Sequence, residues 1–367
     1  MSLSTGGQVL ARALANEGIE VVFGVPGAGQ YEAVDGLYLE PGIRYIGTRH
    51  EQATSYMADG YARVSGKPAA ILVLSGPGMY NSMAGITGAY SQGSPMVVIS
   101  GEGHNDRHVE DEIGFVRGIT KWAAKVEAAS DIPDAVHEAF SEIRTGRSGP
   151  VYLEVPHGVL AGTTDVELRE PSPAIKLHPR KEIMNGISEA VSKCEKPVII
   201  VGDRLDAEAS DSLKRLAEKL QAPILTSPEA KGVIAEDHPL SMGLLNMGYA
   251  PLAEWVRGRD LFFIIGDVKA YSDLLTGKIV ITLDTVANAK WVKNIKPIEV
   301  VGDHLTNLDA LNIGLARRRA VENTVILDSI RKGRFGPSEQ LEPQASFIKA
   351  IRKALPSNGI LVRGMTQ

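Results

Sequence analysis

Glu51 lies in the run HEQATSYMADGYAR (residues 50–63), where a short apolar segment gives way to residues at helical spacing. A carboxylate at such a junction can exchange a proton with a basic ring nitrogen, provided it is withdrawn from water. The same spacing has a plainer reading. Thr48-x-x-Glu51 fits a capping box, in which the glutamate only satisfies backbone donors. The helix that follows carries Ala53, Ser55, Ala58, Gly60 and Ala62, small residues that let a ligand or another helix come close. Glycine-rich turns occur on both sides, VPGAG (25–29) before it, SGPG (75–78) and SGEG (100–103) after it. Gly27 and Gly29 supply the first two glycines of a G-x-G-x-x-G dinucleotide turn, with Glu51 at about the distance of a ribose acid. Glu32 holds the third glycine position, however, which argues against a nicotinamide dinucleotide.

His104, His108 and Glu112 fall at i, i+4 and i+8, so on a helix they would share one face and could ligate a metal. The stretch 102–112 is strongly charged, and a solvated helix or loop is the better reading. There is no G-x-x-x-x-G-K-[ST] phosphate loop and no G-x-S-x-G nucleophile elbow. Ser75 has no His or Asp placed beside it by any motif, so a serine hydrolase is unsupported.

The elements that must position Glu51 and the turns alternate. Strands are expected at 20–25, 43–47, 69–74, 96–100 and 150–155, and helices at 8–16, 51–64, 79–90 and 131–145. Such alternation implies a parallel sheet with helices on both faces, whose ligands bind beyond the carboxyl ends of the strands, where the glycine turns sit. Residues 163–180, with Pro171, Pro173 and Pro179, read as an extended linker. A second alternating block has strands at 196–202, 223–226, 260–266, 278–284 and 299–301 and a helix at 205–220. The fold class is therefore α/β with two doubly wound parallel sheets: an N-terminal domain at 1–165 and a central domain at 180–320. Residues 321–344 read as a polar linker, and a helix at 345–355 and a strand at 359–363 read as the opening of a third domain.

At 367 residues the chain suits two domains and part of a third. A net charge of -5 offers no field for nucleic acid or an anionic membrane. One cysteine, Cys194, excludes a disulfide framework and a thiolate metal site. The first residues lack the apolar core of a secretory signal, no apolar run approaches membrane-spanning length, and a cytoplasmic protein is the expectation.

Taken together, FGVPGAG (23–29), RHEQA with ADGYARVSGKP (49–68), SGPGMYN (75–81), SPMVVISG (94–101), ITKW (119–122) and GPVYLEVP (149–156) resemble the thiamine diphosphate-dependent enzymes of the acetolactate synthase, pyruvate oxidase and benzoylformate decarboxylase group. KPVIIVG (196–202) and EDHPLSMG (236–243) look like that family's middle domain. The resemblance implies that the first domain holds the cofactor's aminopyrimidine. Glu51 would match the family glutamate that hydrogen-bonds the pyrimidine nitrogen and promotes loss of the thiazolium proton. Pro26, Gly27, Ser75, Pro77 and Asn81 would line the cofactor pocket, and Ala28, Gly29 and His108 the substrate pocket. It implies a 2-keto acid substrate, decarboxylation with carboligation, and a homodimer or tetramer whose subunits share each cofactor.

Three departures qualify this. The Gly-Asp-Gly motif that holds diphosphate and Mg2+ in the family is absent: Gly202-Asp203 and Gly302-Asp303 are followed by Arg204 and His304. The Mg2+ site is then expected in a missing pyrophosphate-binding domain whose first strand would be GILVRGMTQ (359–367), leaving these residues by themselves inactive. The flavin-binding pattern of acetolactate synthases is replaced by GDVKAYSD (266–273), which argues against FAD. Leu74 stands where benzoylformate decarboxylase has a pocket histidine, and His108 about where acetolactate synthases have a glutamine. A 2-keto acid decarboxylase or lyase of the same family is therefore one alternative. A non-catalytic relative that dimerises or binds a nucleotide is another.

Overall fold

The computed structural model describes residues 3–101, 111–173, 177–202, 205, 207–266, 268, 274–286, 295–319, 324–334 and 342–362. The N-terminal elements are β1 (Ser4–Thr5), α1 (Gly6–Asn16), β2 (Val21–Gly24), α2 (Tyr31–Leu39), β3 (Arg44–Gly47), α3 (Glu51–Ser65), β4 (Ala69–Leu74), α4 (Pro77–Gln92), β5 (Met96–Gly101), α5 (Glu112–Val116), β6 (Trp122–Lys125), α6 (Ile132–Arg144), β7 (Pro150–Glu154), α7 (His157–Ala161) and β8 (Thr163–Thr164). Six of the strands form one sheet in the order β3-β2-β4-β5-β7-β6, every pairing parallel. Alternation along β4 shows why it is buried on both faces. Ala69, Ile71 and Val73 pack with Ala58, Met79 and Ile86 from the α3–α4 side, while Ala70 and Leu72 pack with Leu10, Leu14 and Phe140 from the α1 and α6 side.

The chain leaves β2 toward β3 on one side and returns through β4 on the other. The crevice beyond the carboxyl ends of β2 and β4 is therefore the switch point where doubly wound sheets bind ligands. VPGAG leaves β2 there and SGPG leaves β4 there.

The central elements are α8 (Lys181–Lys193), β9 (Pro197–Val201), α9 (Ala207–Leu220), β10 (Ile224–Thr226), β11 (Ser241–Leu244), α10 (Ala250–Arg257), β12 (Leu261–Ile265), β13 (Ile279–Asp284), β14 (Ile298–Val301) and α11 (His304–Gly314), followed by α12 (Thr324–Arg334) and α13 (Gln344–Ala354). Their sheet runs β11-β10-β9-β12-β13-β14, again wholly parallel. Its switch point lies beyond β9 and β12, where Asp203, Arg204, Asp267 and residues 269–273 fall outside the described residues, and with them most of the segment read for flavin. Cys194 is buried at the corner between α8 and β9. Its Sγ accepts a hydrogen bond from Arg318 Nη1 at 2.9 Å, and burial pushes the thiol up from its ordinary pKa.

Three expectations change. Residues 324–334, within the segment read as a linker, form α12, because Leu327 and Ile330 at helical spacing bury against the central sheet. Residues 359–362 form no strand, and no neighbouring strand is available to pair with them among the described residues. Strands β1, β6, β8 and β11 and helices α2, α5, α7, α8, α10 and α11 were not foreseen. Among the described residues no helix is long and apolar enough to cross a membrane.

Candidate active site

The cap of α3 decides what Glu51 is free to do. His50, extended at φ -158° and ψ 139°, is the N-cap, and its Nδ1 accepts the Gln52 N–H at 3.1 Å. Thr48 turns instead to Thr54, hydroxyl to hydroxyl at 2.7 Å. The capping box read from Thr48-x-x-Glu51 is therefore not formed. The Glu51 carboxylate reaches across to α4, where Asn81 Nδ2 donates to Oε2 at 3.1 Å. Glu51 is half-buried, and among the described residues no donor is recorded on Oε1. Its charge sits in the first turn of α3, where the helix dipole favours an anion.

Small residues set the approach of α4 to α3. A Cβ on Gly85 would lie 2.3 Å from Ser55 Oγ, so only glycine permits the crossing. Ser55, Ala58 and Ala62 are buried at this contact, whereas Ala53 and Gly60 are exposed. Helix packing thus accounts for the buried part of the small-residue stripe.

The glycine turns converge on the same spot. A Cβ on Gly27 would lie 2.3 Å from Leu74 Cδ1, and one on Gly78 would lie 3.3 Å from Leu74 Cβ and 3.6 Å from Glu51 Oε1. Gly27, Leu74, Gly78, Glu51 and Asn81 therefore form one continuous surface beyond β2 and β4. Pro77 is the first residue of α4, where its missing N–H costs nothing. Ser75 donates its backbone N–H to Gly101 O at 3.2 Å, at the rim of the turn. Pro26 and Ala28 are exposed on the turn after β2, and Gly29 takes φ 96° as the chain swings toward α2. Glu32 faces His157, its Oε2 lying 3.4 Å from Nδ1, and so lies apart from the turn. His104 and His108 lie outside the described residues.

Glu112 was read as solvated and is not. It is 5% exposed. Its Oε1 accepts the Gly76 N–H at 2.8 Å, and its Oε2 accepts Ser100 Oγ at 3.0 Å and Tyr152 Oη at 2.5 Å. Burial, followed by the Glu112 charge, pushes the Tyr152 phenol far above its ordinary pKa, so the phenol stays a donor. Gln30 is a second buried polar residue that pattern reading missed. It is fully buried under the site, its Nε2 donates to Val73 O, and its Oε1 has no partner among the described residues.

A cleft of about 690 Å³ opens elsewhere, lined by Arg63, Gly66, Gln92, Ser94, Lys214 and His238 among others. It is at the far end of α3, roughly 20 Å along the helix from Glu51. Volume by itself does not make it the reactive centre. The Glu51 surface has the chemistry: a carboxylate held at one oxygen by an amide, a glycine edge without side chains and an apolar floor at Leu74. That set fits a flat heteroaromatic ring carrying an N–H or ring nitrogen.

Comparison with known proteins agrees with this geometry. The family description "Thiamine pyrophosphate enzyme, N-terminal TPP binding domain" matches residues 4–119, and "Thiamine pyrophosphate enzyme, central domain" matches residues 184–311. The chain is 30% identical to the "Probable 2-ketoarginine decarboxylase" of Pseudomonas aeruginosa, with 99% of this chain and 68% of that protein covered. It is 33% identical to the "Probable acetolactate synthase large subunit" of Methanocaldococcus jannaschii, covering 81% and 54%. It is 35% identical to the acetolactate synthase large subunit of Buchnera aphidicola, covering 72% and 49%. The chain thus spans about half to two thirds of the length of these relatives. An X-ray structure from Mycobacterium smegmatis, assigned to the thiamin diphosphate-dependent enzymes, shares the fold with a TM-score of 0.76 at 24% identity, covering 88% of this chain and 65% of that one. The switch-point carboxylate, the two doubly wound sheets and these matches have one meaning: the chain belongs to the thiamine pyrophosphate enzyme family and carries its N-terminal TPP-binding and central domains.

Proposed function

We propose that this chain is the pyrimidine-binding and central part of a thiamine diphosphate-dependent enzyme that decarboxylates a 2-keto acid and joins the product to a second carbonyl, as acetolactate synthases do. The observation that carries the proposal is the Glu51–Asn81 contact at the switch point of the first sheet. When bound, the cofactor supplies a carbon nucleophile and electron sink beside the keto-acid carbonyl, its diphosphate held through Mg2+.

In this reading the chain's own residues prepare the proton transfer. Asn81 occupies Glu51 Oε2 and fixes the carboxylate rotamer, which leaves Oε1 to accept from the pyrimidine ring nitrogen. The lack of a side chain at Gly78 keeps that approach open, and Leu74 with Gly27 forms an apolar surface that would hold the ring. Pro26, Ser75 and Pro77 edge the same pocket. Glu51 is half-exposed in one chain, and a carboxylate that trades a proton with a ring works best out of water. The neighbouring surface is unusually apolar: Tyr56, Met57 and Tyr80 are exposed, as is Phe115, which meets Tyr80 edge-to-face at 5.7 Å. A second copy packed there would cover Glu51, so the working enzyme is read as a homodimer or a pair of dimers.

In the full-length protein, Glu51→Gln is expected to leave the fold intact by circular dichroism. It should slow exchange of the cofactor's C2 proton by about 10²–10⁴, the range of general acid–base catalysis. Undiminished exchange in that variant would sink the assignment. Product analysis with pyruvate, thiamine diphosphate and Mg2+ then separates the reactions, since acetolactate supports carboligation. A second reading, decarboxylation of a larger 2-keto acid without carboligation, is favoured by the likeness to the 2-ketoarginine decarboxylase, which matches 99% of this chain. It predicts turnover of longer keto acids with aldehyde as product. An absence of turnover with every keto acid would favour a non-catalytic binding module.

A further inference from the structure

We infer that Glu112 is a positioning residue for the Glu51 site, a buried carboxylate that holds the turn on which α4 begins. The inference rests on the cofactor reading above only for what the turn serves; the clamp itself is a matter of geometry.

Gly76 has φ 68° and ψ -120°, a combination open to glycine and strained for any other residue. The α4 N-cap has no side-chain hydrogen bond of its own. Glu112 meets the Gly76 N–H at 2.8 Å from 36 residues away. Its other oxygen accepts from Ser100, near the end of β5, and from Tyr152 in β7. Glu112, the first residue of α5, thus ties the turn after β4 to the end of β5 and the middle of β7. Among the described residues its hydrogen-bond partners are three neutral donors. A polar core of this kind is costly to build, and apolar residues at positions 100, 112 and 152 would pack without it. They would, however, leave the Gly76 N–H with no partner.

The turn then transmits its position along α4. Gly78, two residues on, borders Glu51 Oε1, and Asn81, five residues on, donates to Oε2. The start of α4 is clamped between two carboxylates, with Glu112 fixing its N-cap residue, Gly76, and Glu51 meeting Asn81 in its second turn.

The test uses the full-length protein with Glu112→Ala, Glu112→Gln and Tyr152→Phe. Loss of the acceptor is expected to speed amide hydrogen exchange in the peptide spanning residues 75–82 by about tenfold, the equivalent of one hydrogen bond. In the cofactor-loaded protein kcat should fall by at least about tenfold, with KM for the keto acid nearly unchanged, as befits misplacement of a group that is not in contact with substrate. Glu112→Gln retains an oxygen for Gly76 and should restore both readouts most of the way. Native protection of residues 75–82 in a folded Glu112→Ala protein would overturn the inference, as would a Gln variant as impaired as Ala with residues 75–82 still protected. If the Ala variant does not fold, the Gln and Tyr152→Phe proteins decide: Tyr152→Phe should show a smaller rise in exchange at residues 75–82, and no rise in it counts against the clamp. Glu51→Gln serves as the control. If it keeps normal C2 exchange, the cofactor reading fails, while hydrogen exchange at residues 75–82 still decides Glu112.

Discussion

Single residues at this site do jobs that their neighbours in sequence do not reveal. Glu51 was legible because it opens a helix and lies in a run whose resemblance is specific. What sequence did not show was which residue caps that helix, since His50 takes the cap and leaves the carboxylate free for Asn81. Glu112 was misread for a physical reason. Its flank, VEDEIG, has the composition of a solvated segment, and the three donors that bury it lie 12, 36 and 40 residues away. No local pattern carries such information. The geometry of Gly76 yields a further expectation. Gly76→Ala should destabilise the protein by about 1–3 kcal/mol, the strain of a non-glycine residue in that backbone region, read as a lowered midpoint in urea unfolding. An unchanged midpoint would mean that the turn relaxes freely and positions nothing.

At the scale of elements, apolar alternation gave most strands within a residue or two, because strands buried on both faces announce themselves as continuous Val/Ile/Leu runs. Elements that depend on tertiary partners were the ones missed. Helix α12 hides in a polar, proline-flanked segment and is visible only as Leu327 and Ile330 on one face. Residues 359–362 have the composition of a strand, but a strand also needs an edge to pair with. The contact of α3 with α4 is the element-level feature that matters most to the site, since each helix contributes one half of the Glu51–Asn81 pair. Gly85→Leu would drive a side chain into Ser55 and push the helices apart. It is expected to cost about 1–3 kcal/mol of stability by overpacking. C2 exchange measured below the new unfolding transition should fall too. Full exchange activity would show that the pair tolerates separation.

For the molecule as a whole, two parallel sheets of like architecture give two switch points, and only the first is surrounded by described residues with reactive chemistry. Composition and periodicity made the α/β class legible. They could not reveal how a half-exposed carboxylate becomes shielded, because that depends on a surface. The proposed second copy supplies the shield, and the full-length protein tests it. Replacing Tyr56 with Asp and Met57 with Arg should halve the mass in sedimentation equilibrium and abolish turnover together. A dimer that survives both changes would place the interface elsewhere.

Cys194 offers a way to see this directly. It is the single thiol in the chain, and it is buried against Arg318 with its ionisation suppressed. Within these 367 residues no other thiol competes with it, and its burial disfavours the thiolate that maleimides need. A cysteine introduced on the outer face of α3, at Gln52 for instance, is exposed and becomes the fast-reacting handle among them. A spin label placed there turns the spacing between two copies of the Glu51 helix into a ruler reading.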